Sequence, residues 1–188
     1  MVARVGPVVV ASGILGGRGA GHALGRGMLE GMLRALGIPG AISTHCDVCG
    51  SDSHGRPVTA SALLSVAYAP GRVVAAVAPA SAGRAIGVDI EAERDPGPMG
   101  ELAALFAPHD PPDVRGWTMI EAVVKADGRG LRLPPHLVVA ADEPGGILPA
   151  SRRYRVPGRG TRIEAVGVPA PPGYVVSVAI DPGSESAR

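Results

Sequence analysis

The sequence predicts an α+β protein built from two similar halves, with residues 1–80 in the first half and residues 81–188 in the second. Predicted strands fall into two groups, each accompanied by a helix, and this segregation disfavours a doubly wound parallel sheet. Hydrophobic residues make up 46% of the 188 residues, which is enough for a substantial core. The 28 glycines and 19 prolines are too many for a bundle of long helices.

The first half is predicted to contain three strands and one helix. Apolar residues recur at helical spacing over residues 24–36, and Gly37 and Pro39 end that pattern. Strands are expected at residues 6–11, 61–69 and 72–78, the last two joined by a turn at Pro70-Gly71. The polar stretch at residues 44–59 is predicted to be a loop.

The second half begins with a predicted strand at residues 85–93 and a short helix at 101–107. The clearest helix covers residues 113–127, because Asp113 is a suitable N-cap and Gly128 a suitable C-terminal stop. Three further strands are expected, at residues 136–141, 161–168 and 174–180. The basic segment 152–155 is interpreted as a solvated loop, with an acidic partner surface as the alternative.

Charge and composition exclude several classes of protein. The formal net charge is +1, so neither nucleic acid nor a membrane surface is expected as a partner. No apolar run approaches the roughly 20 residues of a membrane span. Pro7 interrupts the apolar N-terminal stretch, so we interpret it as a strand rather than a signal peptide and expect a cytoplasmic protein.

Two carboxylates occur on the predicted strand at residues 85–93. Side chains alternate along a strand, so Asp89 and Glu91 point to one face while Ile86, Val88 and Ile90 point to the other. Two adjacent carboxylates repel each other unless a cation lies between them, and Mg²⁺ suits one or two carboxylates combined with substrate phosphates. The alternative is an ordinary solvent-facing edge of a strand.

The helix at 113–127 carries a second polar group. Trp117, Glu121 and Lys125 follow an i, i+4, i+8 spacing and lie along one stripe. Lys125 is the only lysine among 18 basic residues, which favours a specific role over an ordinary i, i+4 ion pair with Glu121. If Glu121 faces Asp89 and Glu91, three carboxylates and a lysine converge on a site suited to Mg²⁺ and a pyrophosphate.

Three sequence blocks resemble a known enzyme family. They are Gly87-Val88-Asp89-Ile90-Glu91, then Trp117-Thr118-x-x-Glu121-Ala122-x-x-Lys125-Ala126-x-Gly128-x-Gly130-Leu131, and upstream His54-Gly55-Arg56-Pro57 preceded by Cys46-x-x-Cys49-Gly50. Their order and spacing resemble the signature of 4′-phosphopantetheinyl transferases of the surfactin-synthetase-activating type. The blocks span about half of the chain.

The resemblance implies a pseudo-dimeric fold, a cytoplasmic monomer and a defined reaction. Enzymes of this family, with holo-acyl-carrier-protein synthase activity, transfer the 4′-phosphopantetheine arm of coenzyme A to a serine of an apo acyl or peptidyl carrier protein, as in secondary metabolite biosynthesis. It implies that Asp89, Glu91 and Glu121 hold Mg²⁺, and that Glu121 and Lys125 are catalytic. Coenzyme A would contact Lys125 and four residues of the first half, namely Gly55, Arg56, Pro57 and Tyr68.

One departure from the family pattern leaves an alternative function open. The family has a Ser-His pair before the hairpin turn, whereas this sequence has Ala67-Tyr68, and tyrosine cannot be cationic. The alternatives are a non-catalytic homologue that binds coenzyme A or a carrier protein without transfer, and a metal site used for other phosphate-ester chemistry. Cys46 and Cys49 with His45 and His54 allow a zinc knuckle, but a pair of reduced thiols is favoured.

Overall fold

The computed structural model of the chain describes residues 1–16, 21–45, 50–51, 55–94 and 97–183. Strands and helices are combined in separate antiparallel sheets with packed helices, which confirms the predicted α+β class. Within these ranges, none of the helices has both the length and the apolar character needed to cross a membrane.

The first half contains a four-stranded antiparallel sheet in the order β1-β2-β6-β5 and one long helix. Its elements are β1 (Val2–Val5), β2 (Val8–Ile14), α1 (Gly21–Ala35), β3 (Ser43–His45), β4 (Arg56–Val58), β5 (Ala62–Ala69) and β6 (Arg72–Pro79). The β5–β6 hairpin matches the predicted strands, and Gly71 has the positive φ of 72° that glycine adopts without strain.

Two predictions for the first half were wrong in detail. The segment 44–59 is not wholly a loop, because β3 and β4 pair with each other as a small separate sheet. Each of these strands has only three residues, which is too short for a hydrophobic period to be visible. The N-terminal strand predicted at residues 6–11 is instead the hairpin of β1 and β2, with the turn at Gly6 where φ is 53°.

The second half contains a five-stranded antiparallel sheet in the order β7-β11-β10-β9-β8. Its elements are β7 (Ala85–Ala92), α2 (Ala103–Phe106), α3 (Val114–Asp127), β8 (Val139–Pro144), β9 (Arg152–Arg155), β10 (Ile163–Val168) and β11 (Tyr174–Asp181). Asp113 caps α3 by accepting a hydrogen bond from the Gly116 N–H at 2.7 Å, and Gly128 ends it at φ 87°.

The interpretation of residues 152–155 as a solvated loop was wrong. These residues form β9, which pairs with β10, and Tyr154 between the arginines is buried. Three arginines in four residues do not indicate a strand by composition. This strand is stabilised by pairing with its partner strand, and that contribution is not visible in the local sequence.

The molecule has four layers, in the order helix, sheet, sheet, helix. Alternate residues of β6 divide between two neighbouring layers: Ala75 and Val77 pack under α1, whereas Val74 and Ala76 face the second sheet. On the other side, α3 packs on β7, β10 and β11. Both halves repeat one connectivity, a strand, a helix and a hairpin, with sheet orders β2-β6-β5 and β7-β11-β10.

Candidate functional site

Strand β7 has two different faces, as its sequence predicts. Ile86, Val88 and Ile90 are buried between the two sheets. The alternate positions, which include Asp89 and Glu91, face α3. One face of β7 therefore belongs to the core of the molecule, and the opposite face belongs to the candidate site.

A glycine brings α3 unusually close to β7. A Cβ added at Gly87 would lie 2.0 Å from the Ala122 carbonyl oxygen and 2.7 Å from the Ala126 nitrogen, so only glycine fits beneath the helix. This close approach brings Lys125 over Asp89, and Glu121 lies one helical turn before it. The remaining residue of the predicted stripe, Trp117, does not belong to the site. Its side chain is buried in the core against Phe106.

Asp89 and Lys125 form the centre of the site. The Lys125 Nζ lies 2.6 Å from Asp89 Oδ1. The second carboxylate oxygen, Oδ2, is buried and has no hydrogen-bond partner among the described residues. Burial raises the pKa of Asp89, and the negative charge of Glu91 adds to this effect, whereas Lys125 opposes it. An unpartnered buried acceptor of this kind is costly unless a ligand completes it.

Glu121 shares this electrostatic environment. Burial raises the pKa of Glu121, and the negative charges of Asp89 and Glu91 raise it further, while Lys125 lowers it. The three carboxyl groups are therefore near enough to repel one another. Asp89, Glu91, Glu121 and Lys125 thus influence one another electrostatically, and Lys125 and Asp89 are in direct contact.

The residues at this site fit Mg²⁺ only in combination with ligand oxygens. Among the described residues, no three side chains of His, Cys, Asp or Glu form a group that could hold a metal ion by themselves. Mg²⁺ does not require one, because it is commonly held by one or two carboxylates together with water and substrate phosphates. The buried Oδ2 of Asp89, to which no described residue donates a hydrogen bond, is a suitable ligand atom for such a site.

The predicted coenzyme A residues of the first half divide between two cavities. Gly55, Pro57 and Tyr68 line a cavity of about 310 Å³ beneath α1. Arg56 instead lines a different cavity, at the end of α3, and its Nη2 donates to the Ile86 carbonyl oxygen at 3.3 Å. The separation follows from β4, where neighbouring side chains alternate between its two faces.

The smaller cavity combines apolar walls with polar groups. The Tyr68 ring lies edge-on to His22, with 5.6 Å between ring centroids, and burial raises the pKa of its hydroxyl. Tyr68 fits beneath α1 because Gly25 has no side chain; a Cβ there would lie 2.4 Å from the Tyr68 hydroxyl oxygen. Sequence reasoning missed Arg26, which also lines this cavity and donates to the Ile42 carbonyl oxygen at 2.7 Å.

The larger cavity, of about 1030 Å³, was not predicted. It is lined by Arg56, Arg84, Arg129 and Arg159 together with Asp127 and several glycines. These arginines come from four separate segments, so no local sequence signal could have revealed the cluster.

The possible zinc ligands Cys46, Cys49 and His54 lie outside the described residues, as does the side chain of His45. That alternative therefore stays a prediction.

Comparison of the sequence with known proteins gives no match to any family model and no match to any curated protein.

Proposed function

We propose that this protein is a Mg²⁺-dependent 4′-phosphopantetheinyl transferase that acts on coenzyme A and a serine of an acyl or peptidyl carrier protein. The observation that carries the proposal is the group of Asp89, Glu121 and Lys125, in which the buried Asp89 Oδ2 has no hydrogen-bond partner within the described part of the chain. Two acids with raised pKa values beside a single lysine suit the binding and transfer of a phosphate group.

Each residue of the site has a distinct role in this proposal. Asp89, Glu91 and Glu121 would hold Mg²⁺, which supplies charge neutralisation on the pyrophosphate of coenzyme A when bound. Lys125 is 32% exposed and can leave Asp89 to contact a phosphate oxygen. Glu121 accepts the proton of the carrier serine, directly or through water, from its position one helical turn before Lys125.

The reaction is a single displacement at phosphorus. The serine oxygen forms a bond to the phosphorus atom that carries the pantetheine arm, and the serine proton passes to Glu121. The bond from that phosphorus to the bridging pyrophosphate oxygen breaks. Adenosine 3′,5′-bisphosphate leaves with the electron pair, and Lys125 compensates the negative charge on the phosphate oxygens.

Two further features support the proposal. The cavity of Gly55, Pro57 and Tyr68 has partly apolar walls and a volume of about 310 Å³, which suits part of a nucleotide. The repeated strand–helix–hairpin connectivity of the two halves agrees with a pseudo-dimeric transferase architecture.

An intact-mass assay tests the proposal. The protein is incubated with coenzyme A, Mg²⁺ and a panel of apo carrier proteins, and we expect one carrier to gain the mass of one phosphopantetheine. The gain should disappear in EDTA. Failure of every carrier to gain mass, despite measurable coenzyme A binding, would overturn transferase activity.

Variants test the assigned roles. Glu121→Gln and Lys125→Ala should each lower the transfer rate at least about 100-fold, the scale on which general-base and charge-stabilising groups act. Glu101→Gln is the matched control, because Glu101 is an exposed acid paired with Arg94 away from the site. A near-normal rate for either site variant would refute its role.

One observation favours the second candidate, a non-catalytic homologue. Tyr68 occupies the position where the resembled family has a cationic histidine, and its hydroxyl lies beneath α1. Such a homologue would bind a carrier protein or coenzyme A without transfer. If coenzyme A binds but no carrier is modified, Ala67→Ser with Tyr68→His is the combination that should restore transfer.

A further inference from the structure

Two buried hydroxyl groups join α3 to the second sheet beside the acidic group. The Thr118 hydroxyl of α3 lies 2.9 Å from the Ser177 hydroxyl of β11. Thr118 is 0% exposed and Ser177 is 1% exposed, so bulk water does not compete for this contact. Neither side chain takes part in the displacement at phosphorus described above.

The direction of this hydrogen bond follows from the number of hydroxyl protons. Thr118 Oγ1 donates its single proton to the Arg115 carbonyl oxygen, at 3.0 Å. Toward β11 it can therefore only accept, and the Ser177 hydroxyl donates across to the helix. Removal of the Thr118 hydroxyl would deprive a buried donor of this acceptor, which is costly.

Ser177 is the neighbour of Asp89 in the sheet. The two residues are directly opposite in the antiparallel pairing of β11 with β7, so their side chains point to the same face, toward α3. Thr118 and Lys125 are seven residues apart, which is two helical turns and places them on one face of α3. The helix thus holds two neighbouring sheet residues, Ser177 through Thr118 and Asp89 through Lys125.

The apolar contacts of α3 do not by themselves fix its rotation. Burial of its apolar side chains against the sheet is favourable without regard to direction. Gly87 determines how closely the helix approaches β7. A hydrogen bond requires both a distance and an angle, so the bond between Thr118 and Ser177 restricts the rotation of α3 and its position along β11.

We propose that Thr118 and Ser177 are positioning residues, whose hydrogen bond holds Lys125 and Glu121 in place over Asp89. A rotation of α3 that breaks this bond also moves Glu121, which lies three residues after Thr118 on the same side of the helix. A displacement of about 1 Å at a reacting group can lower a rate about 100-fold. The effect on the transfer rate rests on the proposed function, whereas the position of Lys125 does not.

Nuclear magnetic resonance of the single lysine tests the positioning without any substrate. Protein containing isotope-labelled lysine gives one ε-methylene signal, from Lys125. Asp89→Asn removes the charged partner and supplies the reference position of the signal when the ion pair is lost. Thr118→Val should move the signal toward this reference, and Thr118→Ser, which keeps the hydroxyl, should leave it near its original position. An unmoved signal in Thr118→Val would overturn the proposal.

A double variant keeps the test valid if the single variant does not fold. Thr118→Val combined with Ser177→Ala removes both hydroxyl groups, so no buried donor is deprived of its acceptor. The double variant should still move the Lys125 signal, because the directional contact is absent. A signal at the position of the unmodified protein would contradict the proposal.

The matched control is Ser151→Ala. Ser151 is another buried hydroxyl of the second half, and it donates to the Leu148 carbonyl oxygen at 2.6 Å in the connection between β8 and β9. Its removal should leave the Lys125 signal in place even though stability falls. An equal movement of the signal in Ser151→Ala would assign the effect to a general loss of stability and refute the positioning role.

Transfer kinetics test the consequence for the reaction. Thr118→Val should lower kcat at least about tenfold and change the KM for coenzyme A less than about threefold, because the cavity in the first half is untouched. Thr118→Ser should restore kcat. A loss confined to KM would contradict the proposal. If the unmodified protein transfers nothing to any carrier, the proposed function fails, and the Lys125 signal still decides the positioning.

Discussion

Two buried carboxyl groups, Asp89 and Glu164, have pKa values displaced in opposite directions. Both are less than 10% exposed, so burial raises the pKa of each. Glu164 accepts hydrogen bonds from three backbone N–H groups at 2.7–3.0 Å and from Ser151, and these outweigh burial so that its pKa is lowered. Asp89 is paired with Lys125 through Oδ1, and its Oδ2 has no hydrogen-bond partner among the residues that the structure describes. The hydrogen bonds to Glu164 indicate a structural role, whereas Asp89 is suited to binding a ligand.

Glu164 should make the stability of the protein depend on pH. Because its folded-state pKa is lowered, its contribution is present above the unfolded-state pKa and is lost as the pH falls through the folded-state value. We expect Glu164→Gln to lower the free energy of unfolding by roughly 1–3 kcal/mol at pH 7, since buried backbone donors lose a charged acceptor. Urea unfolding measured from pH 7 down to pH 3 checks this, and a difference that stays constant across the range would contradict it.

At the scale of elements, the contact between α3 and β7 determines the geometry of the candidate site. Gly87→Ala should force the helix away from the strand, because the new Cβ has no room beside the Ala122 carbonyl oxygen. We expect roughly 1–3 kcal/mol of destabilisation, as for overpacked cores. We also expect loss of transfer activity, because Lys125 would no longer lie over Asp89.

The matched control for this prediction is Gly167→Ala on β10. A Cβ at Gly167 would meet only the Val176 carbonyl oxygen, at 3.9 Å, which is ordinary contact. Thermal unfolding of both variants, together with the intact-mass assay, separates the two cases. Equal effects of the two substitutions would show that the close helix contact is not what determines the site.

An element can be predicted from the sequence when the features that stabilise it lie within its own residues. Helix α3 was predicted within one residue because its cap, its stop and its buried side chains are all local features of the sequence. Strand β9 was missed because its pairing partner lies in β10. The approach of Lys125 to Asp89 could be predicted since strand and helix periods put these residues on defined faces, whereas the arginine cavity depends on tertiary packing alone.

At the scale of the whole molecule, the two sheets meet where β5 packs against β7. The Val88 N–H of β7 donates to the Ser65 hydroxyl of β5 at 3.0 Å, and both residues are buried. We expect Ser65→Ala to lower the free energy of unfolding by about 1–3 kcal/mol, because a buried backbone donor loses its partner. Ser81→Ala, at an exposed position, is the control, and chemical denaturation measures both. A neutral Ser65→Ala would mean that another acceptor replaces the hydroxyl.

Strand β7 packs on the opposite sheet with one face and carries the acidic group on the other. A shift of one residue in its alignment with β11 would therefore exchange the two faces. Insertion of one residue before Asp89 would invert every following side chain. Both carboxylates would then enter the apolar layer between the sheets, and Ile90 would take the position of Glu91 on the face toward α3. Natural variation in length should therefore be absent from this strand and concentrated in the connections around it.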